Sequence, residues 1–525
     1  MSTIRDIHIS YSAPQLLDDL AKTIWQVVPS LRLSFLPTYM LHVVLRWLLA
    51  APARARKAVR RYLRELKSRI RRRSRLPRLY LADDDAGAET GWLDVRDEKG
   101  VRKMAFRDFV RSKCPSLFQE YRPSKMLFNG HLQTAFSAYG DFSEVDRIVY
   151  DRKLIRLLDG GTLSLDFTPP EDERRLSDDT PIIVTFHGLT GGSNEAYVRA
   201  ILAPACASVE DGGLGYRAVV VNFRGCAGTP VTSDKLYHCG NTDDARQALM
   251  YISHRYPKAK LIGLGFSLGA NVLVRYLAQE GQRSRLIAGC ALACPWDLHS
   301  VSYKLSNGAW VDRMYSRMLA ENMAALIKAH RDKLARNPKL TTALPYLFSL
   351  RAPTLWDFDA YYACEEKTEA DDNTDHQGTA LRWRMQGDFY KWASSHTALA
   401  GVRVPLLAIN ADDDPIVHAS DLPTGVGGNP LVALVVTRGG GHLGWFTSSQ
   451  RRTRWVRNPV LDWLRVVGQD LNIEHPEGPP YLSCEIEGFL CEAERPGLGC
   501  RLVEGGGKFR GEFLRVGVPG KTPVL

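Results

Sequence analysis

The sequence predicts an α/β fold built on a mostly parallel, doubly wound sheet, and three observations predict it. Short apolar runs rich in β-branched residues recur at residues 181–186, 216–222, 260–266, 286–293, 405–410 and 431–437, which is the length and composition of strands buried on both faces. Helical patterns separate them, so consecutive strands run parallel with a crossover helix between them. Four of the runs end in loops of residues able to do chemistry: His187-Gly188-Leu189-Thr190-Gly191-Gly192, Gly265-Phe266-Ser267-Leu268-Gly269, Asp412-Asp413-Asp414, and Gly439-Gly440-Gly441-His442. Two further strands, 147–157 and 162–167, lead into the series.

The chain reads from its N-terminus as follows. Residues 1–33 carry Asp6, Asp18 and Asp19 and no basic start, which argues against a cleaved signal peptide and against a mitochondrial presequence. Residues 34–51 are the most apolar N-terminal stretch and a membrane-anchor candidate. Their 18 residues are close to the minimum for a bilayer span, but Pro37, His42 and Arg46 interrupt them, and an arginine at a helix centre costs about 2.5 to 3.5 kcal/mol. Residues 52–80 read as a basic amphipathic juxtamembrane helix, with Val59, Tyr62, Leu63, Leu66 and Ile70 on one stripe. Between residues 51 and 80 there are 13 Lys/Arg and one Glu, so this segment holds +12 of a net +11 and the rest of the chain sums to −1. The expected partner is a membrane surface with anionic lipids. Nucleic acid is disfavoured because the basic run lacks base-stacking aromatics and any recognition motif. The anchor is expected to be single-pass or interfacial, on an intracellular membrane. The positive-inside rule puts the arginine-rich flank in the cytosol, and ten cysteines without a C-x-x-C pair favour a reducing compartment. Residues 81–104, with three consecutive aspartates followed by alanine and glycine, read as a linker.

Residues 105–470 hold the catalytic domain. Ser267 is the candidate nucleophile: in a strand–turn–helix elbow the flanking glycines let strand and helix approach, and the hydroxyl stands at the helix N-terminus. The HG-type loop after residue 186 sits where an α/β-hydrolase fold places an oxyanion donor, so the backbone N–H groups of Leu268 and Leu189 are the expected pair. The acid is expected at Asp414, which directly precedes Pro415-Ile416-Val417, with Asp413 as runner-up and Asp412 third; the base is His442. The chain order serine, aspartate, histidine is that of the α/β-hydrolase fold. Residues 295–401 are too long for a simple connection and read as an inserted helical lid, its aromatics (Tyr346, Phe348, Trp356, Phe358, Phe389, Tyr390 and Trp392 among them) being candidates for an acyl pocket. Residues 471–525 read as a C-terminal tail. No metal or nucleotide signature appears, and no cofactor is expected. The His238-x4-Asp243 spacing matches an acyltransferase pattern but is a cheap match.

Taken together, Asn129-Gly130-His131-Leu132-Gln133-Thr134, His187 to Gly192, Asn222-Phe223-Arg224-Gly225-Cys226, residues 237–244, the elbow, Asn410 to Pro415 and Gly440-Gly441-His442-Leu443-Gly444 resemble the AB hydrolase-4 family, the YheT-like esterases, over residues 121–467. That family also contains membrane-anchored phospholipid and acylglycerol lipases and alcohol acyltransferases. The resemblance implies Ser267, Asp414 and His442 as a charge relay acting on an ester or lipid substrate. The expected function is a membrane-associated serine carboxylic-ester hydrolase, either a short- or medium-chain carboxylesterase or an acylglycerol or phospholipid lipase. Alcohol O-acyl transfer through the same acyl-enzyme is the alternative, and a non-enzymatic membrane scaffold the remaining rival. The Asn129–Thr134 motif carries no evident chemistry and reads as a structural turn.

Overall fold

The computed structural model describes residues 76–82, 91–351, 353–362, 386–447, 452–472 and 483–513. The apolar stretch at 34–51 and nearly all of the basic run lie outside these residues. Among the described residues no helix is long and apolar enough to cross a membrane. Contacts divide the chain into two units, one of Met1–Ser74 with Ala138–Asp141 and one of Arg75–Ser137 with Phe142–Leu525. The second holds the sheet.

All eight expected strands form. They are β4 (Val149–Leu157), β5 (Thr162–Thr168), β6 (Ile182–Phe186), β7 (Arg217–Asn222), β8 (Leu261–Phe266), β9 (Leu286–Leu292), β10 (Leu406–Ala411) and β11 (Val432–Thr437), preceded by β1 (Arg78–Leu81), β2 (Trp92–Asp97) and β3 (Gly100–Ala105). The chain closes with β12 (Ser483–Ile486), β13 (Phe489–Glu492) and β14 (Arg495–Arg510). The main sheet runs β1-β11-β10-β9-β8-β6-β7-β5-β4-β14-β13-β12. Strands β6 to β11 pair in parallel, and β5 runs antiparallel to both β7 and β4. Strands β5 to β11 are buried at every residue, because helices cover both faces of the sheet; this is why β6 to β11 read as apolar runs rather than alternating ones.

Three stretches differ from the sequence reading. Residues 78–81, at the end of the expected basic helix, form β1 and pair antiparallel with β11. Pro77 disfavours a helix there, and the segment completes the sheet edge. The expected linker contains the β2–β3 hairpin, which buries Leu93 and Val95 and is tied to the end of the helix Arg457–Gln469 by Arg96 N–H to Asp470 O (2.7 Å) and Asn472 N–H to Asp94 O (2.8 Å). The expected tail is a three-stranded extension of the sheet, β14 pairing with β4 across an irregularity between Val503 and Gly507. Most of β14 is exposed, so it lacks the apolar pattern that would have revealed it. Beside the pairing with β4, ion pairs fasten it: Arg495 donates to Glu280 (2.9 Å), and buried Glu492 accepts from Arg285.

Between β9 and β10 lies a helical insertion, with helices Leu298–Asn307, Trp310–Ala329, Arg331–Leu334, Pro338–Ser349, Leu355–Tyr362 and Gln386–Ala393. Leu326, Ile327, Leu334, Leu344, Leu347 and Phe358 join the same core as one face of the sheet, so the insertion is packed onto the domain rather than tethered to it.

Candidate active site

The parallel strands all end on one edge, and three of those ends carry the nominated side chains. After β8 the chain turns through Ser267 (φ 51°, ψ −119°) into the helix Leu268–Glu280. A positive φ at a non-glycine residue is strained and persists because its surroundings hold it. Ser267 N–H donates to Leu292 O (2.9 Å), and Ser267 O accepts from Ala270 N–H (2.9 Å). Neither flanking glycine tolerates a side chain: a Cβ on Gly265 would lie 2.5 Å from Ala270 Cα, and one on Gly269 would lie 2.2 Å from Phe186 O.

Ser267 Oγ lies 2.8 Å from His442 Nε2, and His442 Nδ1 lies 2.8 Å from Asp414 Oδ2. The Asp414 side chain is fully buried and His442 is 9 % exposed. The other oxygen, Asp414 Oδ1, accepts N–H bonds from Ile416 (2.8 Å) and Val417 (2.9 Å), which orients the carboxylate and leaves Oδ2 for the imidazole. This is the arrangement in which a buried carboxylate holds an imidazole in one tautomer while the opposite nitrogen takes the serine proton.

The three aspartates after β10 divide their tasks. Asp412 Oδ1 accepts from Gly439 N–H (2.9 Å), and its Oδ2 pairs with Arg78 (3.3 Å). Asp413 Oδ1 accepts from Gly441 N–H (2.9 Å) and does not reach the imidazole. Burial pushes the Asp413 carboxyl up to about 6, opposed by the Gly441 hydrogen bond and reinforced by the charges of Asp412 and Asp414. Asp413 thus ties the acid loop to the histidine loop.

The HG loop stands beside the serine: a Cβ on Gly188 would lie 3.4 Å from Ser267 Cβ. Gly188 N–H donates to Tyr197 OH (3.1 Å) and Thr190 N–H to Tyr237 OH (2.8 Å), so both amides flanking Leu189 are occupied by tyrosine hydroxyls. Leu268 is the first residue of its helix, and its N–H is among those with no partner within the helix. His187 is fully buried; burial lowers it to about 4, and it is neutral, Nδ1–H donating to Gly188 O (2.7 Å) and Nε2 accepting from Phe223 N–H (3.1 Å). The loop's far end is anchored by a buried network in which Arg152 pairs with Asp166 (2.6 Å), and Asp166 in turn accepts from Ser193 Oγ (2.5 Å) and Asn222 Nδ2 (2.7 Å).

Other nominated features take structural places. His238 packs against Phe389 and Trp392, Asp243 begins the helix Asp243–Arg255 and pairs with Arg246 (2.8 Å), and Asp244 is held by Arg224 (2.7 Å). Among the aromatics expected to form an acyl pocket, Phe389 and Tyr390 are buried in a cluster of their own with Leu298, and Tyr390 OH donates to Asp359. Phe348 and Phe358 line a cavity of about 690 Å³ within the insertion. Residues 129–134 open the helix Gly130–Tyr139, where His131 stacks on Tyr315 of the insertion (ring centroids 5.8 Å apart). Ser137 and Arg454, which sequence reasoning did not single out, both bond Leu443 O beside His442 (2.9 and 3.2 Å). These contacts join residues far apart in the chain, and nothing local marks them.

A model of the α/β hydrolase fold matches residues 181–448. The chain belongs to the α/β-hydrolase family. It is 29% identical over 420 residues to a monoacylglycerol lipase of Saccharomyces cerevisiae, covering 73% of this chain and 88% of the relative. It is 28% identical over 427 residues to a medium-chain fatty acid ethyl ester synthase/esterase of the same yeast, covering 72% and 92%. The putative esterase YheT of Escherichia coli is 29% identical over 350 residues, covering 66% and 93%. The AB hydrolase-4 resemblance read from the motifs agrees with these relatives, and the α/β hydrolase is a serine hydrolase of the esterase and lipase type.

Two outcomes follow for the acid loop. Asp414→Asn should lower kcat by a factor of about 10⁴, the cost of the wrong imidazole tautomer in a comparable triad, while Asp413→Asn should cost about tenfold or less; steady-state hydrolysis of a soluble ester checks both. Because the Asp413 pKa is raised in the folded state, its contribution to stability is present below about pH 4 and lost as pH rises through about 6. Asp413→Asn should accordingly flatten the fall in melting temperature across that window, as measured by thermal unfolding from pH 4 to 7.

Proposed function

We propose that this hydrolase is a membrane-associated carboxylesterase or lipase that forms an acyl-enzyme on Ser267. One observation carries the reading: the unbroken chain from Ser267 Oγ through His442 to Asp414, with both contacts at 2.8 Å, at a helix N-terminus beside the Leu189 loop. Ser267 Oγ attacks the ester carbonyl carbon while its proton passes to His442 Nε2. The negative charge on the former carbonyl oxygen is met by the N–H groups of Leu268 and Leu189, one such donor being worth about 3 kcal/mol. Collapse breaks the bond to the alkoxide, which takes the proton from His442, leaving the acyl group on Ser267. Water then gives a proton to His442 and attacks the acyl carbon, and the carboxylic acid departs as Ser267 regains its proton. Asp414 holds the imidazole and stabilises the imidazolium.

Similarity to a monoacylglycerol lipase and the +12 carried between residues 51 and 80 favour an acylglycerol or phospholipid presented at an anionic membrane, with the N-terminal region as anchor. The helical insertion, which begins where β9 ends, serves as the lid. Acyl transfer to an alcohol is the second reading, and the similarity to an ethyl ester synthase/esterase is the observation that favours it. An alcohol in place of water at the deacylation step gives an ester instead of an acid.

The test compares the full chain, a chain lacking residues 1–74 (which keeps β1) and the Ser267→Ala variant. Substrates are a soluble butyrate ester and a monoacylglycerol in phosphatidylserine-containing vesicles, with and without ethanol. The truncated protein should keep its rate on the soluble ester and lose most vesicle binding, and Ser267→Ala should be inactive on both. Truncated protein that still sediments with vesicles would place the membrane contact in the folded domain. Ethyl ester exceeding free acid would favour the transferase reading.

A further inference from the structure

The histidine loop is poorly suited to hold a side chain still. It carries glycine at 439, 440, 441 and 444, and its backbone passes through positive φ at Gly439, Gly440, Gly441, Leu443 and Trp445. Yet His442 has to meet two partners at once, and a misplacement of about 1 Å can cost a hundredfold in rate. Four of the bonds that hold this loop, including the one on the His442 main chain, come from one helix, Gly130–Tyr139, which precedes the first parallel strand by some fifty residues.

Thr134 Oγ1 accepts the His442 backbone N–H (2.8 Å) and donates to Gly130 O (2.7 Å), so one buried hydroxyl ties the base's main chain to the helix. Fully buried Gln133 grips the loop four residues on: its Oε1 accepts from Phe446 N–H (2.8 Å), and its Nε2 donates to Phe446 O (3.3 Å) and Leu127 O (2.6 Å). Ser137, one turn beyond Gln133 and Thr134, donates to Leu443 O (2.9 Å). The helix also registers the acid loop. Gly130 lies so close that a Cβ there would be 1.8 Å from Asp413 O, and one on Gly441 would be 2.3 Å from Gly130 O. Asp413 completes the junction by accepting from Gly441 N–H and from the backbone of Gly130.

We propose that the segment Asn129–Thr134 is the bracket that sets His442 between Ser267 and Asp414, with Thr134 as its chief positioning residue. The motif's composition follows from this task. Asn129 Oδ1 accepts from Leu132 N–H (2.9 Å) and starts the helix, Gly130 admits the acid loop, and Gln133 and Thr134 take the main chain of the histidine loop. His131 faces the other way, onto Tyr315 (Nδ1 to OH, 3.1 Å), and is not part of the bracket.

The inference rests on His442 being the base, so His442→Ala serves as the control in the same assay; if that variant keeps wild-type turnover, the triad reading fails before the bracket is tested. With the control inactive, Thr134→Val, which keeps the shape and removes the hydroxyl, should lower kcat for a soluble ester about 10- to 100-fold. KM should stay within about twofold, and fluorophosphonate labelling should slow in step, because misplacement of the base weakens the transition state and not substrate binding. Thr134→Ser should recover kcat to within about threefold of wild type. Ser137→Ala, at the half-buried end of the same face, should show the same pattern at three- to tenfold, and it decides the question if Thr134→Val does not fold. Wild-type kcat in Thr134→Val, a rise in KM that accounts for the loss, or equal losses in the Val and Ser variants would each overturn the proposal. So would wild-type kcat in Ser137→Ala where the Val variant cannot be measured.

Discussion

One imidazole has to touch a hydroxyl and a carboxylate at once, and most of the domain is arranged around that demand. Ser267, Asp414 and His442 follow three different strands, with His442 standing 175 residues from the serine and 28 from the aspartate in sequence. A parallel sheet brings such residues together because all its strands end on one edge, so side chains remote in sequence can converge within hydrogen-bond reach. The burial of β8, β10 and β11 on both faces keeps those three ends from moving independently. The strained backbone at Ser267 is the local cost of aiming a hydroxyl at the helix N-terminus, and the close approach at Gly265 and Gly269 is what the surroundings require to hold it there.

Electrostatics in the acid loop show how little distinguishes neighbouring residues until the backbone places them. Asp412, Asp413 and Asp414 are chemically identical, yet their partners are a surface arginine, a glycine amide and an imidazole respectively. Asp414, fully buried, has both its oxygens engaged, Oδ1 by two backbone N–H groups and Oδ2 by the imidazole. Asp413 has fewer compensating bonds, and burial raises its pKa accordingly. The HG loop follows the same logic with a histidine. Buried His187 is kept neutral and acts as a two-sided hydrogen-bond link between the loop and the end of β7.

The parts of this structure legible in the sequence are those with strong local signals. Six strands buried on both faces, β6 to β11, announce themselves as apolar runs, and the elbow by paired glycines around a serine. The edge strands were not legible: β14 is largely exposed, and the ion pairs Arg495–Glu280 and Arg285–Glu492 that fasten this extension join residues more than two hundred positions apart. The aromatics of the insertion are ambiguous in sequence for the complementary reason. Composition shows that Phe389 and Tyr390 seek burial but not whether they bury against one another or line a pocket. Asn129–Thr134 was visible as a motif and opaque as chemistry, since Thr134 gains its meaning only from a backbone amide 308 residues away.

In the proposed reaction everything depends on Ser267 carrying the acyl group. The direct measurement is intact-protein mass spectrometry of the wild-type chain after reaction with a fluorophosphonate, followed by peptide mapping of the adduct. One probe per chain, attached to Ser267 and blocked by prior incubation with a slowly deacylating ester, is the predicted result. An adduct on any other residue, or an unlabelled protein that still turns over ester, would contradict it.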